Sequence, residues 1–192
     1  MSELTMEKAR EIVAKHETEE HLLKHALAVS AAMGAMAERF GGDKEHWRAI
    51  GYLHDVDFEK YPDEHCHHVR ELLAPEGVDD ADIRAIESHG WGLCSDVEPQ
   101  NDMEKCLFTV DELTGIVMAA ALMRPSGITD LEVKSLKKKF KDKRFAAKCD
   151  REIIKQGAEM LGMDLGEVME LTISGMREET DALGLGPKEQ EA

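Results

Sequence analysis

His54 and Asp55 stand side by side in the run Gly51-Tyr52-Leu53-His54-Asp55-Val56-Asp57. An imidazole nitrogen beside a carboxylate oxygen suits a divalent transition metal, and the carboxylate keeps the place open to a hard cation such as Mg2+ or Mn2+. A lone His-Asp pair has a plainer reading, a helix C-terminus with a surface carboxylate, so other residues must decide. His25 lies at the edge of an apolar stripe formed by Leu22, Ala26, Val29, Met33 and Met36. Asp111 falls inside the most apolar helical pattern of the chain, where a carboxylate is costly unless it is paired or binds a cation. His21 makes H-x-x-x-H with His25, but Glu19, Glu20 and Lys24 mark its face as solvated.

Two further clusters have the right chemistry. His65, Cys66, His67 and His68 are four ligand types in succession that cannot all converge; His65 and His68, three apart, share one helix face. Lys134 to Arg151 holds nine Lys or Arg against Asp142 and Asp150 alone. Such a run serves either as a solvated helix face or as a grip for substrate phosphate.

The elements that must position these groups are all helical. Thr5 caps a first helix to about His16, and a second runs from about Thr18 to Phe40 before Gly41-Gly42. Asp43 caps a third, whose Trp47, Ile50, Tyr52 and Leu53 carry His54 and Asp55 to a buried end. Glu64 to Leu73 reads as a short helix, Asp79 or Asp80 starts another that reaches His89, and Ser95 to Asp102 reads as a mobile loop. Met103 to Met123 is the apolar helix of Asp111. Beyond Arg124-Pro125-Ser126-Gly127, helices are expected from Thr129 to Lys139, from Asp142 or Lys143 to Leu161, and from Asp164 to Leu183. No strand alternation and no Gly-rich phosphate loop or dinucleotide fingerprint occurs.

At 192 residues with 42% apolar side chains, the chain fits one domain with a sizeable core. Its net charge of -16 argues against nucleic acid polymers and anionic membranes as partners. No apolar run is long enough to span a bilayer, and the first residues lack the pattern of a signal peptide, so a cytoplasmic protein is expected. Cys66, Cys94, Cys106 and Cys149 show no C-x-x-C spacing and are expected to be reduced thiols.

The ordered set His25, His54-Asp55, Asp111, each within a helical pattern, resembles the H...HD...D signature of the HD superfamily of metal-dependent phosphohydrolases. Gly51 to Asp57, His65 with Leu72-Leu73, Ala85 to His89 and Asp111 to Gly115 look more closely like an HDIG-type group of conserved proteins. The likeness covers roughly residues 20 to 180, ending in Arg124-Pro125-Ser126 and Lys137 to Lys143. It implies an all-α HD-domain bundle over residues 1–184, with a metal-binding core at about 18–124 and C-terminal helices at about 129–183; residues 185–192, at the chain end, are expected to be a disordered tail. It also implies His25, His54, Asp55 and Asp111 as core metal ligands, with His65 and His89 as the two extra histidines of members that hold two ions. The chain departs from that pattern at Val56-Asp57, where the group has Ile-Gly, and at Phe58, where many relatives carry lysine.

The expected activity is therefore hydrolysis of a phosphate ester or anhydride in a nucleotide or other small phosphorylated metabolite. One or two divalent ions, Mn, Fe, Mg, Ni or Zn, would activate water and neutralise phosphoryl oxygens. Asp55 is expected at the reacting centre, and Asp57 as a group that orients water or acts as acid or base, or else as a carboxylate behind the ligands. Arg124, Lys137 and Lys143 are the candidates for binding substrate phosphate. A mixed-valence di-iron oxygenase and a non-catalytic nucleotide or phosphate-binding protein are the alternatives, and homo-oligomerisation stays open.

Overall fold

The computed structural model describes residues 3–189, and among them the chain is all α with no strand. Nine helices follow one another: α1 (Met6–Val13), α2 (Glu20–Phe40), α3 (Lys44–Leu53), α4 (Val69–Leu73), α5 (Asp80–Ser88), α6 (Asp102–Leu122), α7 (Val133–Lys141), α8 (Arg151–Leu161) and α9 (Leu165–Arg177). None of these is long and apolar enough to cross a membrane.

The long helices α2 and α6 form the centre. α2 packs against α3, α6 and α9, and α6 against α2, α8 and α9, so both are apolar on more than one face. α1 closes over α3, and α5 bridges α3 to α6. Six helix starts carry a side-chain cap. Thr5, Asp43, Asp79, Asn101, Asp150 and Asp164 each accept a backbone N–H of the first turn, and Asn101 with Glu104 completes a reciprocal capping box.

Two local features set α2 and α3 in the register the site needs. Gly51 faces α2 so closely that a Cβ there would lie 3.0 Å from the Ser30 Cα and from the Met33 Cγ, which brings the end of α3 against the middle of α2. The start of α2 has no side-chain cap of its own. Instead the Glu59 carboxylate, just beyond His54 and Asp55, accepts from the Thr18 N–H at 2.7 Å, the Thr18 hydroxyl at 2.8 Å and the Glu19 N–H at 3.2 Å.

Three expectations are corrected. The segment from Glu64 to Leu73 is not one helix: a 3-10 turn at Pro62–Glu64 and α4 are separated by Cys66, whose φ of 74° lies in the left-handed region and breaks the helical path. Residues 142–150, expected to begin a helix, are irregular, with Ala146 at φ 46°, and α8 starts only at Arg151. The tail is ordered as far as it is described: Leu185 is buried, its carbonyl accepts from the Ile128 N–H at 2.8 Å, and the Lys188 N–H donates to the Pro125 carbonyl at 2.8 Å. Residues 190–192 of that stretch lie outside the described residues.

Candidate metal centre

Six side chains from five segments meet between α2, α3, α5 and α6. His25 comes from the second turn of α2, His54 and Asp55 from the end of α3, His65 from the turn after Pro62–Glu64, His89 from the end of α5, and Asp111 from the middle of α6. The termini matter, because a side chain at a helix end can leave the apolar face that carried it inward.

Around one point, His25 Nε2 lies 3.1 Å from His54 Nε2, 3.0 Å from Asp111 Oδ1 and 3.3 Å from Asp55 Oδ2. His54 Nε2 is 3.1 Å from Asp55 Oδ2 and 3.2 Å from Asp111 Oδ1. Around a second point, His65 Nε2 lies 3.1 Å from His89 Nε2 and 3.1 Å from Asp55 Oδ1, and that oxygen is 3.4 Å from His89 Nε2. Donors about 2.1 Å from a shared ion at right angles to one another are separated by about 3 Å, so both groups have the spacing of a coordination shell. Asp55 belongs to both, with one oxygen in each.

The opposite ring edges fix which nitrogen is free. His54 Nδ1 donates to the Gly51 carbonyl at 2.7 Å, His89 Nδ1 to the Ile86 carbonyl at 2.5 Å, and His65 Nδ1 to Asp57 Oδ1 at 2.7 Å. With the proton held at Nδ1, each Nε2 lone pair faces the centre, the arrangement in which imidazole binds a metal. With the imidazoles neutral, as metal binding requires, the two carboxylates Asp55 and Asp111 would leave two negative charges for a cation to balance.

Protons compete for the same place. Burial, the largest single effect, opposes charge on His25, His54, Asp55, His65 and Asp111. The Asp111 and Asp55 carboxylates nevertheless lift His25 to about 9 and hold His54 well above its ordinary value. In return, against burial, the His54 charge and the bonds from His25 and His54 hold Asp111 low and Asp55 well below the usual carboxylate range. His65 rises to about 10 through its bonds to Asp55 and Asp57. The field therefore favours positive charge, and a divalent cation settling there would displace protons. The donor set, its spacing and its charge all fit such an ion.

Residues 22–114 match the family model of the HD domain, and this stretch contains all six of these side chains. The chain carries an HD domain. No curated protein and no solved structure matches it. The HD domain defines a superfamily of metal-dependent phosphohydrolases, and two clusters in this stretch could hold a metal ion: His25, His54, Asp55 and Asp111, and His65, Cys66 and His89.

The centre of the HD domain forms the floor of a cleft of about 420 Å3, within the size range of small-molecule sites. Phe58, Leu93 and Ile153 give it an apolar wall; Glu112 and Lys148 are polar groups on its lining outside the ligand set. Phe58, directly after Asp57, makes that part of the wall aromatic. Burial, and then the charge of Asp111, raise Glu112 to about 7 while its carboxylate accepts from the Asp150 N–H at 2.9 Å.

Asp57 is not on the cleft. It is fully buried beneath His65, and its second oxygen accepts from the His68 N–H at 3.2 Å. His68 itself pairs with Glu64 and Glu71 on the surface and does not enter the centre. The three cations expected to grip phosphate are placed elsewhere. Arg124 lies beyond the C-terminal end of α6, about three turns past Asp111, and pairs with Asp130. Lys137 lies beside Gly166 at the start of α9, and Lys143 lines a shallow depression that adjoins the cleft. The cation on the cleft lining is Lys148, from the same basic run but a different position.

Lys148 is presented by a loop built around Arg151. The guanidinium donates to the carbonyls of Phe140 (3.2 Å), Ala146 (2.8 Å), Cys149 (3.1 Å) and Asp142 (3.1 Å), and to that of Phe145. A planar fork with five N–H donors can gather that many oxygens, and a lysine cannot. The loop over the cleft is thus folded onto the first residue of α8.

Proposed function

We propose that the protein is a divalent-metal phosphohydrolase acting on a small phosphorylated metabolite, nucleotides included. The observation that carries this reading is the division of Asp55, whose two oxygens each face a separate pair of histidines. His25, His54, Asp55 and Asp111 would hold one ion, and His65, His89 and Asp55 the other. Divalent cations supply Lewis acidity: they acidify water and neutralise charge on phosphoryl oxygens.

The remaining work falls to the cleft residues. Lys148 would draw in and orient a phosphate oxygen, and the wall of Phe58, Leu93 and Ile153 would exclude water and hold the less polar part of the substrate. Glu112 stands beside Asp111, where it could exchange a proton with a leaving oxygen. One lysine against so many carboxylates favours a substrate with few negative charges over a polyphosphate chain.

The test is metal analysis of the full chain together with a screen of phosphate esters, run with and without oxygen. We expect up to two ions per chain and phosphate release that does not need oxygen. His54→Ala and Asp55→Ala should lose metal and turnover while keeping their helical signal. Full metal content in both variants would sink the assignment, and turnover only in oxygen would transfer the centre to di-iron oxygenase chemistry, the other use of this ligand set.

A further inference from the structure

The second group of ligands has a neighbour that an arrangement of histidines and carboxylates alone does not explain. His65 Nε2, His89 Nε2 and Asp55 Oδ1 supply three donors. Cys66 Sγ lies 4.0 Å from His89 Nε2, and donor atoms of His65, Cys66 and His89 all lie within 4.8 Å of one another. A tetrahedral ion with N at about 2.1 Å and S at about 2.3 Å sets nitrogen and sulfur about 3.6 Å apart, close to the separation of Cys66 from His89.

The backbone is shaped to bring that sulfur there. Cys66 is one of two non-glycine residues with positive φ among the described residues, a conformation that surrounding structure must enforce and that clusters at functional sites. Gly90, directly after His89, makes room: a Cβ there would stand 2.7 Å from the Cys66 sulfur and closer still to that of Cys94. Cys94 Sγ lies 2.8 Å from Cys66 Sγ on the side facing the cleft. If Cys66 is a thiolate, Cys94 must be the donor of that hydrogen bond, which would support the ligand from behind.

We propose that Cys66 is a thiolate ligand of the second metal position, completing His65, His89 and Asp55, with Cys94 as its hydrogen-bonding support. The two positions of the centre then differ in kind. The first, of two imidazoles and two carboxylates, accepts harder ions; the second, with sulfur, prefers zinc or ferrous iron to magnesium or manganese. This rests on the reading of the centre as a metal site.

Cadmium titration of the reduced, metal-free full chain tests it, because thiolate-to-cadmium charge transfer absorbs in the ultraviolet. Two equivalents should bind and one of them should bring the band. Cys66→Ser should lose the band and keep the other equivalent, whereas Cys94→Ser should keep the band. Two equivalents without a band, or a band that survives Cys66→Ser, would overturn thiolate ligation and leave the two-metal reading standing; no cadmium bound at all would overturn both. Should Cys66→Ser fail to fold, iodoacetamide labelling of the wild-type chain decides: Cys66 is expected to react in the metal-free protein and to be protected after loading, and equal labelling in the two states overturns the proposal.

Discussion

Asp57 accepts a hydrogen bond from the Nδ1–H of His65 across 2.7 Å, from a position with no exposed surface. A carboxylate so enclosed acts on the centre only through the ring it holds. Asp57→Ala should leave that N–H without its acceptor and weaken the second metal position by about 10- to 100-fold, with the first ion retained. Asp57→Asn keeps an acceptor oxygen and should lie between the two. Metal titration by calorimetry reads this directly. Loss of turnover in Asp57→Asn with both ions firmly bound would instead return Asp57 to the reacting atoms.

Lys148 and Arg151 should behave as a pair. Lys148→Met is expected to raise KM for an identified phosphate ester several-fold and to weaken inhibition by inorganic phosphate, with metal content unchanged. Arg151→Lys loses most of the carbonyl contacts that shape the loop and should reproduce that effect, while Arg124→Met and Lys137→Met leave the kinetics as they were. An effect at Lys137 equal to that at Lys148 would contradict the geometry.

Glu17, between α1 and α2, is buried and its Oε2 has no hydrogen-bond partner. Burial first, then the charge of Asp55, raise it from the ordinary 4.5 to about 7. The unfolded chain releases this proton near 4.5 and the folded one only near 7, so stability falls as pH rises across that interval and stays reduced above it. Glu17→Gln should therefore raise the Tm of the metal-free protein at pH 8 and change it little at pH 4.5. Equal shifts at both pH values would show that the charge is not the cause.

His46 Nε2 meets Asp82 Oδ1 at 2.7 Å and ties α3 to α5, the two helices that end at His54 and His89. The bond to Asp82 raises the imidazole above its ordinary 6.5 in spite of partial burial. The stabilisation is complete below 6.5 and fades as pH rises through the raised value. Denaturant titrations should show His46→Ala most destabilised relative to wild type near pH 5.5, with the difference shrinking in alkaline solution; a difference that grows with pH would contradict the pair.

The helix that ends at His54 is legible in the sequence because Asp43 marks its start and Trp47, Ile50 and Leu53 set its buried face. His65 was legible as a residue but not as a place: its spacing from His68 suggested a helix face, while the left-handed Cys66 turns the chain between them. The thiol pair could not be read from spacing at all, since Cys66 and Cys94 are far apart in sequence and meet only where Gly90 leaves room. In the basic run the charges were visible, but which one reaches the cleft depends on Arg151 collecting carbonyls from an irregular loop, and backbone oxygens leave no mark on the sequence.

The boundary of kinship and the boundary of folding do not coincide in this chain. The matched stretch stops at residue 114, inside α6, which continues to Leu122 and whose buried face goes on through Ile116, Val117 and Ala120. α1 lies wholly before the match and covers α3, while α9 lies wholly after it and covers α2. A gene fragment trimmed to the recognisable part would keep all six side chains of the candidate centre and lose the helices packed around them.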